Sequence, residues 1–211
     1  KVIYCLNITF YKYKAVIFDF GNVLCGVERE NFVLKAAIHA KAQNAQDLLR
    51  TLWGTPIEYE FETGIIDSHE YYRRVQRLVE LEPGYSYEEF VRDYQSIIVP
   101  NPDGEQALKT AASMGARTFV LSNTSFLHAS LIFDNEVLGT YPEIYIFSYK
   151  IGVMKPDPRI WMKLLEYIRL DPGDCLYIDD IADYCKAAQD LGMDAFCYDF
   201  RIHNLSLELQ N

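Results

Sequence analysis

Ala15-Val-Ile-Phe-Asp19-Phe-Gly-Asn22 sets four apolar residues directly before a carboxylate. A short run that is apolar throughout, rather than alternating, suits a parallel strand covered on both faces. Thr118-Phe-Val-Leu-Ser122, Cys175-Leu-Tyr-Ile-Asp179 and Asp194-Ala-Phe-Cys-Tyr198 have the same form, and Ile144-Tyr-Ile-Phe-Ser148 is a weaker fifth. Helical spacing fills the gaps. Ala107, Leu108, Ala111 and Ala112 mark one helix, and Ile160, Trp161, Leu164, Leu165 and Ile168 a second. Ala182, Cys185 and Ala188 mark a third, which Gly192 ends. Asn101-Pro102 and Asp157-Pro158 each read as an N-cap followed by proline in the first turn. Strands alternating with helices predict an α/β fold built on a doubly wound parallel sheet.

The stretch 28–100 breaks this pattern. It has no strong strand run, and helical spacing recurs at Tyr71, Val75 and Leu78, then at Phe90, Val91, Tyr94, Ile97 and Ile98. Ser86 with Glu89 makes a capping box before the second of these. The expected division is therefore a core of 1–27 with 101–211, and a small helical block of 28–100 inserted after the first strand.

Composition narrows the function. The chain has 211 residues, half of them hydrophobic, with 16 Tyr and 12 Phe, enough to bury a sizeable core. A net charge of −10 argues against a nucleic-acid surface, which needs a basic stripe, and against docking on anionic lipid. It does not exclude an anionic small substrate, because a metal ion and a lysine can reverse the field locally. Cys5, Cys25, Cys175, Cys185 and Cys197 form no C-x-x-C pair and read as small buried hydrophobes of a reducing compartment. Lys1 to Phe10 is mildly apolar but lacks a signal-peptide pattern, and no run reaches the roughly 18 apolar residues of a membrane span. A cytoplasmic protein is expected.

In an open parallel sheet, ligands bind beyond the carboxyl ends of the strands. That rule selects Asp19, Ser122 with Asn123, Asp179 with Asp180, and Lys155 after the weaker strand. A carboxylate at a strand end can act as a nucleophile. Two adjacent acids repel unless a cation lies between them, and Mg²⁺ takes one or two carboxylates plus phosphate oxygens. Ser122 and Asn123 can donate to a phosphoryl oxygen, and Lys155 can offset its charge. Each residue alone also fits an ordinary role: turn, helix cap, helix N-terminus or exposed lysine. The set, in this order at these strand ends, is far more specific.

From Tyr13 to Phe200 the sequence resembles the haloacid dehalogenase superfamily. Ile17-Phe-Asp-Phe-Gly-Asn-Val-Leu24, Val120-Leu-Ser-Asn-Thr124, Lys155-Pro-Asp-Pro-Arg159 and Tyr177-Ile-Asp-Asp180 are similar to its four motifs. The resemblance implies a Mg²⁺-dependent phosphatase acting on a small phosphorylated metabolite through an aspartyl-phosphate. It implies Asp19 as nucleophile and metal ligand, with the Gly21 backbone carbonyl, Asp180 and Asp179 completing the metal site. Ser122, Asn123 and Lys155 would hold the phosphoryl group, Lys155 also stabilising charge, and the helical block would be the family's small cap. Asp-Phe-Gly-Asn-Val-Leu and Glu62-Thr-Gly-Ile-Ile-Asp67 resemble most the branch with sugar-1-phosphate phosphatases, and more distantly the phosphatase domain of soluble epoxide hydrolases.

The chain departs from the family at Gly21, where most phosphatases carry a second aspartate as general acid and base. Its loss should cost ~10²–10⁴-fold in rate unless another group takes over, such as Asn22, a water or a cap residue. It also predicts a preference for phosphates whose leaving group needs little protonation. Tyr184 stands where relatives often have Asn or Asp. It is expected to pack at a helix start, with Asp183 a substitute in the metal shell. Arg29, Trp53, Tyr59 and Glu60 are possible cavity residues, and His39, His69, His128 and His203 form no motif. The rival readings are a binding or regulatory protein that kept the fold, and a haloacid dehalogenase. Retention of both Asp179 and Asp180 favours phosphate over halide chemistry.

Overall fold

The structure is a computed structural model that describes residues 12–40 and 45–210. Residues 1–11, including Cys5 and any strand or extension formed there, lie outside the described residues. In chain order the elements are β1 (Ala15–Phe18), β2 (Cys25–Val27), α1 (Arg29–His39), α2 (Ala45–Leu52), α3 (Pro56–Glu62), α4 (Ser68–Leu78) and α5 (Tyr87–Gln95). Then come β3 (Ile98–Pro100), α6 (Pro102–Ser113), β4 (Arg117–Ser122), α7 (Phe126–Asp134), α8 (Glu136–Thr140) and β5 (Ile144–Phe147). The chain continues through α9 (Ser148–Ile151), α10 (Arg159–Ile168), β6 (Cys175–Asp179), α11 (Ala182–Asp190), β7 (Asp194–Cys197) and α12 (Leu205–Glu208).

All five expected strands form one parallel sheet in the order β5-β4-β1-β6-β7. β1 lies at its centre, fully buried, with Phe18 level with Val120 on one side and Ile178 on the other. The period-two alternation of a strand sorts its side chains. Val16 and Phe18 face a core with Ala107, Leu108 and Leu205, whereas Ala15 and Ile17 face one with Trp161, Leu164 and Ala188. Helices thus cover both faces, as runs apolar throughout demand. The chain leaves β1 for β4 and β5, then crosses back to β6 and β7, so the winding reverses beside β1.

α1 to α5 enclose a separate core rich in rings, where Phe32, Phe61, Tyr71, Phe90 and Tyr94 pack edge-on and stacked. The capping box of Ser86 and Glu89 starts α5. That helix stops at Gln95, short of the expectation, and Ile98 instead enters β3, which pairs antiparallel with β2. This two-stranded ribbon carries the chain into and out of the helical block. Asn101 caps α6 without its side chain, which donates to Val23 O. α10 begins only at Arg159, whose backbone N–H donates to Asp157. Gly192 closes the turn after α11 with φ +90°. Cys25, Cys175 and Cys185 are buried free thiols; Cys197, at the end of edge strand β7, is exposed, contrary to expectation. No helix among the described residues is long and apolar enough to cross a membrane.

Candidate active site

The carboxyl ends of β1, β4 and β6 meet where the winding reverses, and a cavity of about 770 Å³ opens there. Asp19, Gly21, Ser122, Asn123, Lys155 and Asp180 all line it. Asp179 lies behind them, fully buried.

Lys155 ties the acids together. Its ammonium stands 2.8 Å from Asp19 Oδ1 and 2.7 Å from Asp179 Oδ2, and its residue is 3% exposed. Asp179 Oδ2 also accepts from the Tyr177 hydroxyl, and Asp179 Oδ1 from the Ile181 backbone N–H at 2.8 Å. With both oxygens occupied, Asp179 acts on this structure as an anchor for Lys155. Asp19 Oδ1 accepts from Phe20 N–H at 2.7 Å, while no donor among the described residues reaches Oδ2. Asp180 is half-buried and receives the Asn22 amide at 3.0 Å. Asn22 holds this pose with φ +56°, a left-handed conformation Asn tolerates, and its carbonyl oxygen accepts from Val27 N–H.

Burial raises the Asp19 carboxyl to about 7, against the pull of Lys155 and with Asp179 adding to the rise. Burial also raises Asp180. Burial alone would lower Lys155, but Asp19 and Asp179 hold it above its ordinary value, so it stays charged. Ligand oxygens of Asp19, Asp179 and Asp180 lie within 4.8 Å of one another. Three carboxylates with one ammonium leave an excess of negative charge that a dication offsets, and an all-oxygen donor set suits Mg²⁺.

Several expectations change here. The Asn123 side chain is engaged with the lysine loop: it donates to Lys155 O at 2.9 Å and to Tyr184 Oη at 3.3 Å, and accepts from Lys155 N–H at 2.8 Å. Tyr184 does more than pack, since it lines the cavity and holds Asn123. Asp183 is exposed on the neighbouring turn and is absent from the carboxylate cluster. Arg29 and Trp53 reach the cavity from the helical block, whereas Tyr59 is exposed and Glu60 turns away to pair with Arg74. His128 stacks on Tyr94, and burial lowers it to about 4, so it is neutral. Glu62, at the end of α3, also lines the cavity. Nothing in the local pattern of Glu62-Thr-Gly-Ile-Ile-Asp67 marks it, because only the packing of the helical block brings it to the site.

The profile of haloacid dehalogenase-like hydrolases matches residues 13–192. The chain belongs to that family. Phosphatase MT3486 of Mycobacterium tuberculosis is 35% identical over 123 residues, 57% of this chain and 57% of its own. Flavin mononucleotide hydrolase 1 of Arabidopsis thaliana is 28% identical over 144 residues, 66% of this chain and 56% of the relative. The chain thus spans a little over half the length of these two relatives. D-ribitol-5-phosphate phosphatase of Bacteroides thetaiotaomicron is 24% identical over 87% of this chain and 90% of the relative. Among solved structures, a haloacid dehalogenase family enzyme of B. thetaiotaomicron in complex with magnesium and inorganic phosphate has the same fold. Its TM-score is 0.78 at 23% identity, over 89% of the present chain and 94% of that one.

Proposed function

We propose that this hydrolase is a Mg²⁺-dependent phosphatase of a small phosphorylated metabolite, working through an aspartyl-phosphate on Asp19. The observation that carries the reading is the buried cluster of Asp19, Lys155, Asp179 and Asp180 at the carboxyl ends of β1 and β6. Relatives named as phosphatases of D-ribitol-5-phosphate and of phosphorylated carbohydrates point to a sugar phosphate. The helical block, 28–100, serves as the cap that selects the metabolite, with Arg29 and Trp53 in its wall.

Asp19 Oδ2, free of donors among the described residues, attacks phosphorus in line, while Oδ1 is held by Lys155 and Phe20 N–H. Lys155 and the Ser122 hydroxyl hold phosphoryl oxygens, and Asn123 and Asp179 keep Lys155 in place. Asp19, Asp180 and the Gly21 carbonyl would hold Mg²⁺, with Asp179 behind, and the ion would supply charge neutralisation for the transferring group. Water then cleaves the aspartyl-phosphate. The test is phosphate release from a panel of sugar phosphates and p-nitrophenyl phosphate, with Mg²⁺ or chelator, beside Asp19→Asn. Metal-dependent turnover lost in the variant supports the reading. Mg²⁺ binding without turnover would move the assignment to a binding protein, and halide release that survives chelation to a dehalogenase.

A further inference from the structure

Phosphoryl transfer to Asp19 leaves an alkoxide that needs a proton, and Gly21 has no side chain to give one. A Cβ at that position would already press on Val27 Cγ2 at 3.1 Å. Most other polar groups of the cavity are committed, and Glu30 and Arg50, which also line it, are exposed to solvent. The Asn22 amide bridges Asp180 and Val27; the Tyr184 hydroxyl accepts from Asn123, and burial raises its pKa, which makes it a poor acid near neutrality. His128 is neutral and bonded to Tyr94 O, and Lys155 is held charged between two carboxylates. Glu58 accepts from Gly54 N–H at 2.6 Å and lies 3.9 Å from Arg29.

Glu62 differs from all of these. It lines the same cavity and makes no hydrogen bond or ion pair among the described residues, although it interacts electrostatically with Asp19 and Lys155. Its place over the core is fixed two residues on. Gly64 has φ +72°, and a Cβ there would stand 2.2 Å from Tyr149 O, so the end of α3 sits directly on the backbone of α9. Only glycine permits that approach.

We infer that Glu62 is the general acid and base of this site, standing in for the aspartate absent at Gly21. The inference rests on the phosphatase reading above. As Asp19 Oδ2 bonds to phosphorus, the bond to the leaving oxygen breaks and the Glu62 carboxyl gives that oxygen its proton. In the second step the Glu62 carboxylate takes a proton from water as the water oxygen bonds to phosphorus. The phosphorus–Asp19 bond breaks, phosphate leaves, and both carboxyl groups return to their starting forms.

The electrostatics suit this cycle. Burial raises Glu62 to about 8; Glu58 and Asp19 add to the rise, while Arg29 and Lys155 oppose it. Tyr71 and Tyr94, whose phenols burial keeps neutral, also interact with it. Glu62 is therefore protonated near neutral pH and close enough to that range to give the proton up. A cation on the aspartates pulls its pKa downward, so the working value lies at or below about 8. The preference for easily expelled leaving groups, expected from Gly21, then belongs to the enzyme deprived of Glu62.

The test compares wild type, Glu62→Gln and Asp19→Asn in single-turnover reactions with Mg²⁺, on an alkyl phosphate and on p-nitrophenyl phosphate. Gln keeps the shape and breaks no hydrogen bond or ion pair among the described residues, and circular dichroism with Mg²⁺ titration checks that fold and metal binding persist. We expect Glu62→Gln to lose ~10²–10⁴-fold on the alkyl phosphate and less than about 10-fold in p-nitrophenol release. We also expect it to lose the alkaline limb of the wild-type pH profile and to accumulate phosphoenzyme. An equal loss on both substrates, or none, with Asp19→Asn inactive, would overturn the role of Glu62 alone. A wild type inactive on both would overturn it together with the phosphatase reading.

Discussion

Lys155→Met removes the ammonium that Asp19 and Asp179 share. The residue is 3% exposed, and its nitrogen lies 2.8 and 2.7 Å from the two carboxylates. Methionine keeps the stem packed near the Tyr177 and Tyr184 rings, so the loss is chiefly electrostatic. Removing one partner of a buried pair costs about 3–5 kcal/mol, because the other charge is left uncompensated. Asp179 keeps the donors Tyr177 and Ile181, so Asp19 bears most of the loss. The sign of the pH dependence follows from linkage. Burial already holds the folded Asp19 carboxyl at about 7, above its unfolded value, and losing Lys155 raises it further. A carboxyl raised on folding contributes stability that is complete below the unfolded pKa and disappears as pH rises through the folded one. The deficit of the variant should therefore be greatest at about pH 8 and shrink toward about pH 5. Mg²⁺ at roughly 100 times its Kd should return about 2.7 kcal/mol to any form that binds it. Urea unfolding of both proteins in chelator, at the two pH values, measures this. A deficit below about 1 kcal/mol, or one unchanged between the two pH values, would refute the argument that Lys155 compensates a buried carboxylate pair.

Three further outcomes are expected. Gly64→Ala forces a Cβ to within 2.2 Å of Tyr149 O at φ +72°, so it should destabilise by about 1–3 kcal/mol and raise KM as α3 shifts, measured by thermal unfolding and kinetics. Asp180→Asn keeps the shape and the Asn22 neighbour but removes charge, so the Mg²⁺ concentration for half-maximal rate should rise at least about 10-fold, as second-coordination changes alone can do. Trp53→Ala strips an aromatic wall from the cavity, so KM should rise about 5–10-fold with the Mg²⁺ requirement unchanged, consistent with the roughly 1 kcal/mol of one ring contact.

The sheet was readable in sequence because each of its strands is a short apolar run ending on polar groups, and a strand buried on both faces leaves no other composition. The same rule exposed Asp19, Ser122, Lys155 and Asp180, since a polar residue directly after such a run falls at the open edge of the sheet. The β2–β3 ribbon was not readable. Its strands have three residues each, Gly26 and Pro100 weaken the signal, and Ile97 and Ile98 continue the helical spacing of α5. The use of Asn123 was hidden for a different reason: its amide meets the Lys155 backbone 32 positions away, a contact set by the meeting of two loops. Glu62 depends on how α3 sits over the core, which local pattern does not encode.

Trapping the covalent intermediate tests the central claim most directly. The protein is mixed with p-nitrophenyl phosphate and Mg²⁺, quenched in acid, and its peptides are weighed. The account predicts one added phosphoryl group on the peptide carrying Asp19, absent in chelator and absent in Asp19→Asn. Steady turnover with no phosphoryl group on that peptide, or turnover undiminished in Asp19→Asn, would contradict it.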